Sequence, residues 1–516
     1  MSQIAFGTSG WRGILAKDFT VERVRLVVRA IAEEVVREGG GGRGLVVAYD
    51  GRFLSELLVE EAASVLAAAG VRALVTERPT PTPTVSFEIL RRGAAGAVNF
   101  TASHNPPEYN GVKFSPAWGG PALPETTRRI AAAANEMLRR GALLDAASAA
   151  FRRGALFEDE AAAVSRRGAL LDDAAAAVPG MPLDEARKAG LVERIDPREA
   201  YIARLGELVD LAAVKRASLA VVYDPMYGAA RGYLDEALRR AGVPVEVLHD
   251  HRDAYFGGRP PEPSRANVPE LIDRVRGGGG RLLGLATDGD ADRFGVVDLD
   301  GRFIEPNDLL ALFADYLCGE RRVEGGIARS VATTHLLDAV AAKHGRELHE
   351  TPVGFKYIGE LIRDGRLCMG GEESAGFSMR GHVPEKDGIL ACLLAAELVA
   401  RRGRSLGEQL AALMREVGPV ATSRENLRLT ARQKAAFGQK LELIPDRFGG
   451  LAVEGVQELD GKKVRLAGGA WLLMRESGTE PVVRLYGEAR DEATLARIME
   501  AGRTFILGAD SEPAVP

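Results

Sequence analysis

Apolar residues along this chain come in short continuous runs, separated by longer stretches with helical spacing. Leu45-Val46-Val47-Ala48-Tyr49 reads as a strand buried on both faces and closed by Asp50-Gly51-Arg52. An Ala/Leu/Val helix over 55–69 follows, then strands over 71–75 and 97–100. The last runs straight into Thr101-Ala102-Ser103-His104-Asn105-Pro106. Continuous apolar strands with helices between them predict a parallel sheet covered on both faces. The cycle restarts at 219–223, where Asp224-Pro225 closes the strand before a helix that reaches Arg240, and a further strand follows at 282–286. A third cycle has helices over 307–317 and 335–343, strands over 329–332 and 367–369, and then Gly370-Gly371-Glu372-Glu373-Ser374. In the last part of the chain the strands read as shorter and more polar, with helices over 431–441 and 491–506. This predicts three successive α/β domains with mixed sheets over 1–198, 199–302 and 303–418, and a smaller C-terminal α+β domain over 419–516, around a central cleft.

The stretch 139–180 breaks the pattern. Arg139-Arg140-Gly141-Ala142-Leu143 recurs as Arg152-Arg153-Gly154-Ala155-Leu156 and as Arg166-Arg167-Gly168-Ala169-Leu170. The repeat is too short in period for a solenoid and too interrupted by glycine for one long helix. It is expected to be a solvated or loosely helical duplication, dispensable for activity, with a partner-binding arm as the other reading.

Composition narrows the class. Of 516 residues, 46% are hydrophobic and 27% charged, which excludes a disordered chain. The formal charge of −5 offers no basic field for a nucleic acid. The longest apolar run, 389–400, contains Glu397 and falls short of the ~20 residues of a membrane span. The first 13 residues lack the basic start and apolar middle of a signal peptide. Cys318, Cys368 and Cys392 form no CxxC pair, as expected in a reducing compartment. A cytoplasmic protein without nucleic-acid or membrane partners is expected.

Ligands of open α/β sheets sit beyond the carboxyl ends of the strands, and three polar clusters fall there. In Asp288-Gly289-Asp290-Ala291-Asp292-Arg293 a spacing of two directs three carboxylates to one side, with small residues between them. Three hard anionic oxygens in one place call for a hard cation, Mg²⁺. An EF-hand is excluded, because Arg293 stands where it needs glycine and Leu299 where it needs glutamate. Ser103 sits on a turn that Pro106 stiffens. It suits a nucleophile or phosphate carrier, with His104 and Lys113 as proton-transfer candidates. No Gly-x-Ser-x-Gly elbow surrounds it, which argues against an esterase. Arg475-Glu476-Ser477-Gly478-Thr479-Glu480-Pro481 offers a guanidinium, hydroxyls and a glycine turn to one phosphate. Glu372 and Ser374 suit adjacent sugar hydroxyls.

Taken together and in this order, the clusters resemble the α-D-phosphohexomutase family. Four signature loops match, 101–106, 288–293, 371–376 and 475–481, and Gly7-Thr8-Ser9-Gly10-Trp11-Arg12-Gly13 also fits. The resemblance implies four domains around one central cleft, each giving a loop. Ser103 would be the phosphoserine and complete a Mg²⁺ site with Asp288, Asp290 and Asp292. A hexose phosphate would be the substrate, and glucose 1,6-bisphosphate the activator, of a monomer or dimer. Arg12, Arg293 and Lys113 would offset charge during phosphoryl transfer. Arg475, Ser477, Gly478 and Thr479 would hold the phosphate that is not reacting. Glu372 and Ser374 would take equivalent hydroxyls in both poses of the sugar, with Lys356 a further sugar or phosphate contact. Mannose-using members often carry histidine near the end of the sugar loop, where this chain has Gly376 and then Phe377. That favours glucose over mannose, with glucosamine third. A metal-dependent phosphatase and a non-catalytic sugar-phosphate sensor are the rival classes.

Overall fold

The computed structural model describes residues 3–7, 10–154, 178–476 and 482–508. Four sheets follow one another along the chain. The first has six strands in the order Trp11–Ile14, Tyr109–Pro116, Gly96–Phe100, Leu45–Tyr49, Ala73–Thr76, Val192–Ile195. The second has five: Phe303–Ile304, Phe294–Val297, Leu282–Thr287, Ala220–Asp224, Val245–Val247. The third has four: Leu348–Thr351, Gly326–Ser330, Leu367–Glu372, Gly376–Met379. The six-stranded C-terminal sheet is antiparallel throughout and is covered by the helices Ala431–Leu441 and Glu492–Leu507.

The apolar runs form the parallel strands. Every residue of Leu45–Tyr49 is buried, which is why that run shows no alternation. The first three sheets are mixed, as the fold class expects, with parallel strands at the centre. Each of the first three has a central strand that leaves its carboxyl end as a polar loop and returns as an antiparallel neighbour. Gly96–Phe100 returns as Tyr109–Pro116, Leu282–Thr287 as Phe294–Val297, and Leu367–Glu372 as Gly376–Met379. In the fourth sheet Trp471–Glu476 returns as Val482–Ala489. The first three signature loops are thus hairpin connections, gripped by ladder hydrogen bonds on both sides. The C-terminal strands are also not uniformly short, since Ala421–Arg428 and Val482–Ala489 each have eight residues.

The apolar run 389–400 lies in the helix Gly388–Arg402, buried from Gly388 to Val399. Its Glu397 accepts from Tyr316 Oη at 2.6 Å and from the Asp210 amide at 2.9 Å. No helix among the described residues is long and apolar enough to cross a membrane. The three cysteines are buried and free. The C-terminal sheet is fastened to the third by Lys463, whose Nζ donates to the Val331 carbonyl at 2.9 Å, and by Thr334 Oγ1 on Glu488 at 2.5 Å.

Two of the three repeat copies extend outside the described residues, while the helix Pro124–Gly154 carries the first. The last residues of the stretch expected to be an insert are packed into the fold. Val178 is buried, its carbonyl accepts from Arg25 at 2.6 Å, and Met181 exchanges hydrogen bonds with Ser64. A deletion that stops before Val178 is therefore expected to keep the parent's Tm. One that continues through Gly180 should lower Tm by several degrees, at about 2–4 °C per kcal/mol of lost packing. Thermal melts of the two deletion proteins check this.

Candidate active site

The turn that carries Ser103 is built around a buried arginine. Arg52 is fully buried and pairs with Asp50 at 3.1 Å. Its Nη2 donates to the carbonyls of Ser103 and Asn105, both at 2.7 Å, and its Nη1 to those of Pro106 at 2.8 Å and Tyr109 at 3.0 Å. Asp50 also accepts from Thr101 Oγ1 at 2.7 Å, and Thr101 Oγ1 accepts the Ser103 amide at 2.8 Å. One guanidinium thereby binds four carbonyls of a turn that could not satisfy them by a ladder. Ser103 is held at φ +53°, a left-handed conformation unusual for a non-glycine residue.

The carboxylate loop closes against this turn. Ser103 Oγ donates to Asp288 Oδ2 at 2.8 Å. A Cβ on Gly289 would lie 2.6 Å from the Ser103 carbonyl oxygen, so only glycine permits the approach. Carboxylate oxygens of Asp288, Asp290 and Asp292 lie within 4.8 Å of one another, all buried. Thr82 Oγ1 donates to Asp290 Oδ2 at 2.6 Å, and Asn99 holds Thr82 at 3.0 Å. Asp290 Oδ1 and Asp292 Oδ1 are buried without a hydrogen-bond partner among the described residues. Converging anionic oxygens with unused lone pairs fit a hard divalent cation.

Four cations face these carboxylates. Lys113 Nζ lies 2.5 Å from Asp290 and 2.9 Å from Asp292, and Lys386 Nζ lies 3.2 Å from Asp292. Arg293 donates its amide to Asp288 Oδ1 at 3.0 Å and its guanidinium to Glu262 at 3.1 Å. Arg12 bonds Asn105 of the serine turn. Burial brings the Arg12 pKa down to about 10, opposed by Asp290. Burial pushes Asp288 well up, aided by Asp290 and Asp292. Burial acts the same way on Asp292, but Lys113, Lys386 and Arg293 overcome it and hold that carboxyl far down. His104 Nδ1 is 3.3 Å from Ser103 Oγ, and burial, then Arg293 and Arg12, push its pKa well down. Of the two proton-transfer candidates, His104 thus touches Ser103, while Lys113 is bound to carboxylates.

A cleft of about 710 Å³ runs from Glu262 and Arg293 past Glu373 and Ser374 to Arg424 and Tyr486. Glu372 ends a strand, accepts the Gly354 amide at 2.7 Å, and is pushed up to about 7 by burial and by Glu373. Burial lowers the Lys356 pKa, against the pull of nearby Glu372 and Asp460. Arg475 Nε pairs with Asp460 at 2.8 Å, and Asp460 in turn accepts the Val353 amide at 3.0 Å. Ser477, Gly478 and Thr479 lie outside the described residues. The residues expected to tell sugars apart do not face the cleft. Phe377 is fully buried, 4.9 Å from the Phe313 ring, and a Cβ on Gly376 would meet Lys386 Cδ at 2.6 Å.

Family models of phosphoglucomutase/phosphomannomutase match in four pieces: α/β/α domain I over 3–140, domain II over 199–301, domain III over 305–417 and the C-terminal domain over 426–504. The chain belongs to the phosphoglucomutase/phosphomannomutase family. It is 29% identical to a phosphoglucomutase of Komagataeibacter xylinus, over 94% of this chain and 87% of that one. It is 30% identical to a Methanothermobacter thermautotrophicus protein named "Probable phosphoglucosamine mutase", over 97% of each. The crystal structure of a protein named as a phosphomannomutase from Thermus thermophilus superposes with a TM-score of 0.78 at 31% identity, covering 98% of this chain and 99% of that one.

Its activity is that of a phosphohexomutase, an isomerase acting on a hexose phosphate. The three relatives carry three different sugar names, so the family fixes the chemistry before the sugar. The family is magnesium-dependent, and the Asp288, Asp290, Asp292 triad fits that ion. Sequence reasoning missed Arg52, Thr82 and Lys386 in this phosphohexomutase site. Asp50-Gly51-Arg52 at a strand end and Pro384-Glu385-Lys386-Asp387 before a buried helix were the available signals.

Proposed function

We propose that this phosphohexomutase interconverts glucose 1-phosphate and glucose 6-phosphate, with Ser103 as the phosphoryl carrier. The observation that carries the reading is Ser103 Oγ hydrogen-bonded to Asp288 within the buried triad, at 2.8 Å. Mg²⁺, held by Asp288, Asp290, Asp292 and the Ser103 phosphate, supplies charge neutralisation when bound. Glucose 1,6-bisphosphate primes Ser103 and is also the intermediate. Ser103 Oγ alternates between leaving group and nucleophile. His104 Nδ1, 3.3 Å away, takes the hydroxyl proton as Oγ attacks and returns it as Oγ leaves. Lys113, Arg12 and Arg293 offset the charge that phosphoryl transfer gathers on the equatorial oxygens. Arg475, Ser477, Gly478 and Thr479 hold the phosphate that is not reacting, with Lys356 near Arg475. Glu372 and Ser374 take the sugar hydroxyls in both poses.

Glucose is favoured because the sugar loop Gly371-Glu372-Glu373-Ser374-Ala375-Gly376 resembles the phosphoglucomutase form, and its Glu373 and Ser374 line the cleft. The test is the ratio of kcat/KM for glucose 1-phosphate to that for mannose 1-phosphate, with Mg²⁺ and catalytic glucose 1,6-bisphosphate. The ratio is expected to exceed about 10, within the range one pocket contact supplies. A ratio near one makes the enzyme dual-specific. A preference for glucosamine 1-phosphate over both overturns the glucose assignment and leaves the family chemistry intact.

A further inference from the structure

Most polar side chains around the cleft have partners. Glu373 accepts from Ser330 Oγ at 3.1 Å and Thr333 Oγ1 at 3.2 Å, and Glu488 accepts from Trp471 Nε1 at 3.1 Å. On the C-terminal wall, Tyr486 differs. It is 2% exposed, lines the cleft, and its hydroxyl is buried without a hydrogen-bond partner among the described residues. Its ring packs against Val331, Ala332, Trp471 and Leu473, and the Arg424 guanidinium lies 5.7 Å from the ring centre. The side chain is therefore held in place while its polar end lacks an acceptor, a state that costs about 1–3 kcal/mol unless something entering the cleft relieves it.

The strand register places this hydroxyl. Tyr486 pairs with Leu473, and Arg484 pairs with Arg475, on the same two neighbouring strands. Residues two apart along a strand share a face, so Tyr486 and Arg475 lie on one face of the C-terminal sheet. Glu373 and Ser374 line the same cleft. Burial, and then the Glu373 charge, lift the phenol to about 12, which keeps it a donor throughout the working pH range.

We propose that Tyr486 is a substrate-binding residue whose hydroxyl donates to an oxygen of the bound hexose phosphate, between the hydroxyls taken by Ser374 and the phosphate taken by Arg475. The inference rests on the sugar-phosphate reading given above and adds a contact that none of the four signature loops contains. A donor with no partner among the described residues and one in the complex would contribute to binding without contributing to folding.

Tyr486→Phe removes only that hydroxyl and leaves the ring packed. Titration calorimetry with glucose 6-phosphate on the full chain, with Mg²⁺ present, should give a Kd about tenfold weaker than wild type, as expected for one lost hydrogen bond. The Tm of the free variant should match wild type within about 1 °C. An unchanged Kd in a wild-type protein that binds the sugar phosphate overturns the inference alone. So does a Tm lower by several degrees, because the hydroxyl would then have a partner in the free protein. A wild-type protein that binds no hexose phosphate overturns the functional reading and this contact with it.

Discussion

Replacing Ser103 with alanine is expected to lower kcat/KM for hexose phosphate isomerisation by ~10⁴-fold or more, the scale on which enzymes lose activity with their nucleophile. The change removes one oxygen from a buried turn that Arg52 and Thr101 continue to hold, so the fold should survive it. Alanine keeps the strain of a left-handed residue at φ +53°, whereas Ser103→Gly relieves it. The two variants should therefore be equally inactive, with glycine the more stable. A coupled assay of glucose 6-phosphate formation and a melting curve separate the two effects. Isomerisation surviving in either variant would place the carrier elsewhere. Release of inorganic phosphate continuing at the wild-type rate would return the site to the rival phosphatase class.

The parts of this site that could be read in the sequence are those encoded by neighbours in the chain. Asp288, Asp290 and Asp292 converge because a spacing of two in an extended loop already puts them on one side, and Ser103 was marked by its place between a strand and Pro106. What the sequence hid are contacts between distant segments. Thr82 reaches Asp290 across 208 positions, and Lys386 reaches Asp292 from the connection before the helix Gly388–Arg402. Nothing in either local pattern records that. Arg52 was visible as the last residue of a strand-end motif, yet its role depends on carbonyls about fifty residues later. The hairpin topology was missed for a related reason. The returning strands 109–116, 294–297 and 376–379 begin with or contain polar and glycine residues, so they read as loop continuations. Phe377 shows the opposite error. Its proximity to the sugar loop in sequence suggested a contact, but a strand alternates its faces, and this one points into the core.

Asp288→Asn should separate the stability of this site from its function. Without metal, Asp288 is the carboxyl that burial and its two neighbours push up, so its charged form weighs against folding at neutral pH. A group with a raised folded-state pKa stabilises below its unfolded value of about 3.9 and loses that contribution as pH rises through the folded value. Asparagine removes the charge, while its side-chain oxygen can still accept from Ser103 Oγ or the Arg293 amide, as the carboxylate does. The metal-free variant is therefore expected to melt higher than metal-free wild type at pH 7, by about 2–4 °C for each kcal/mol of repulsion removed. That gap should close as the pH is lowered. Mg²⁺ should reverse the order. Wild type at a Mg²⁺ concentration ~100 times Kd should gain about 2.7 kcal/mol, while the variant, short of one anionic ligand, should gain little. Activity should fall with the lost metal response, by ~10³-fold or more, since phosphoryl transfer depends on that charge. The measurement is Tm against Mg²⁺ concentration for both proteins at pH 5 and pH 7. A metal-free variant less stable than wild type at pH 7 would mean that Lys113 and Lys386 already neutralise the triad, leaving no repulsion for the metal to relieve.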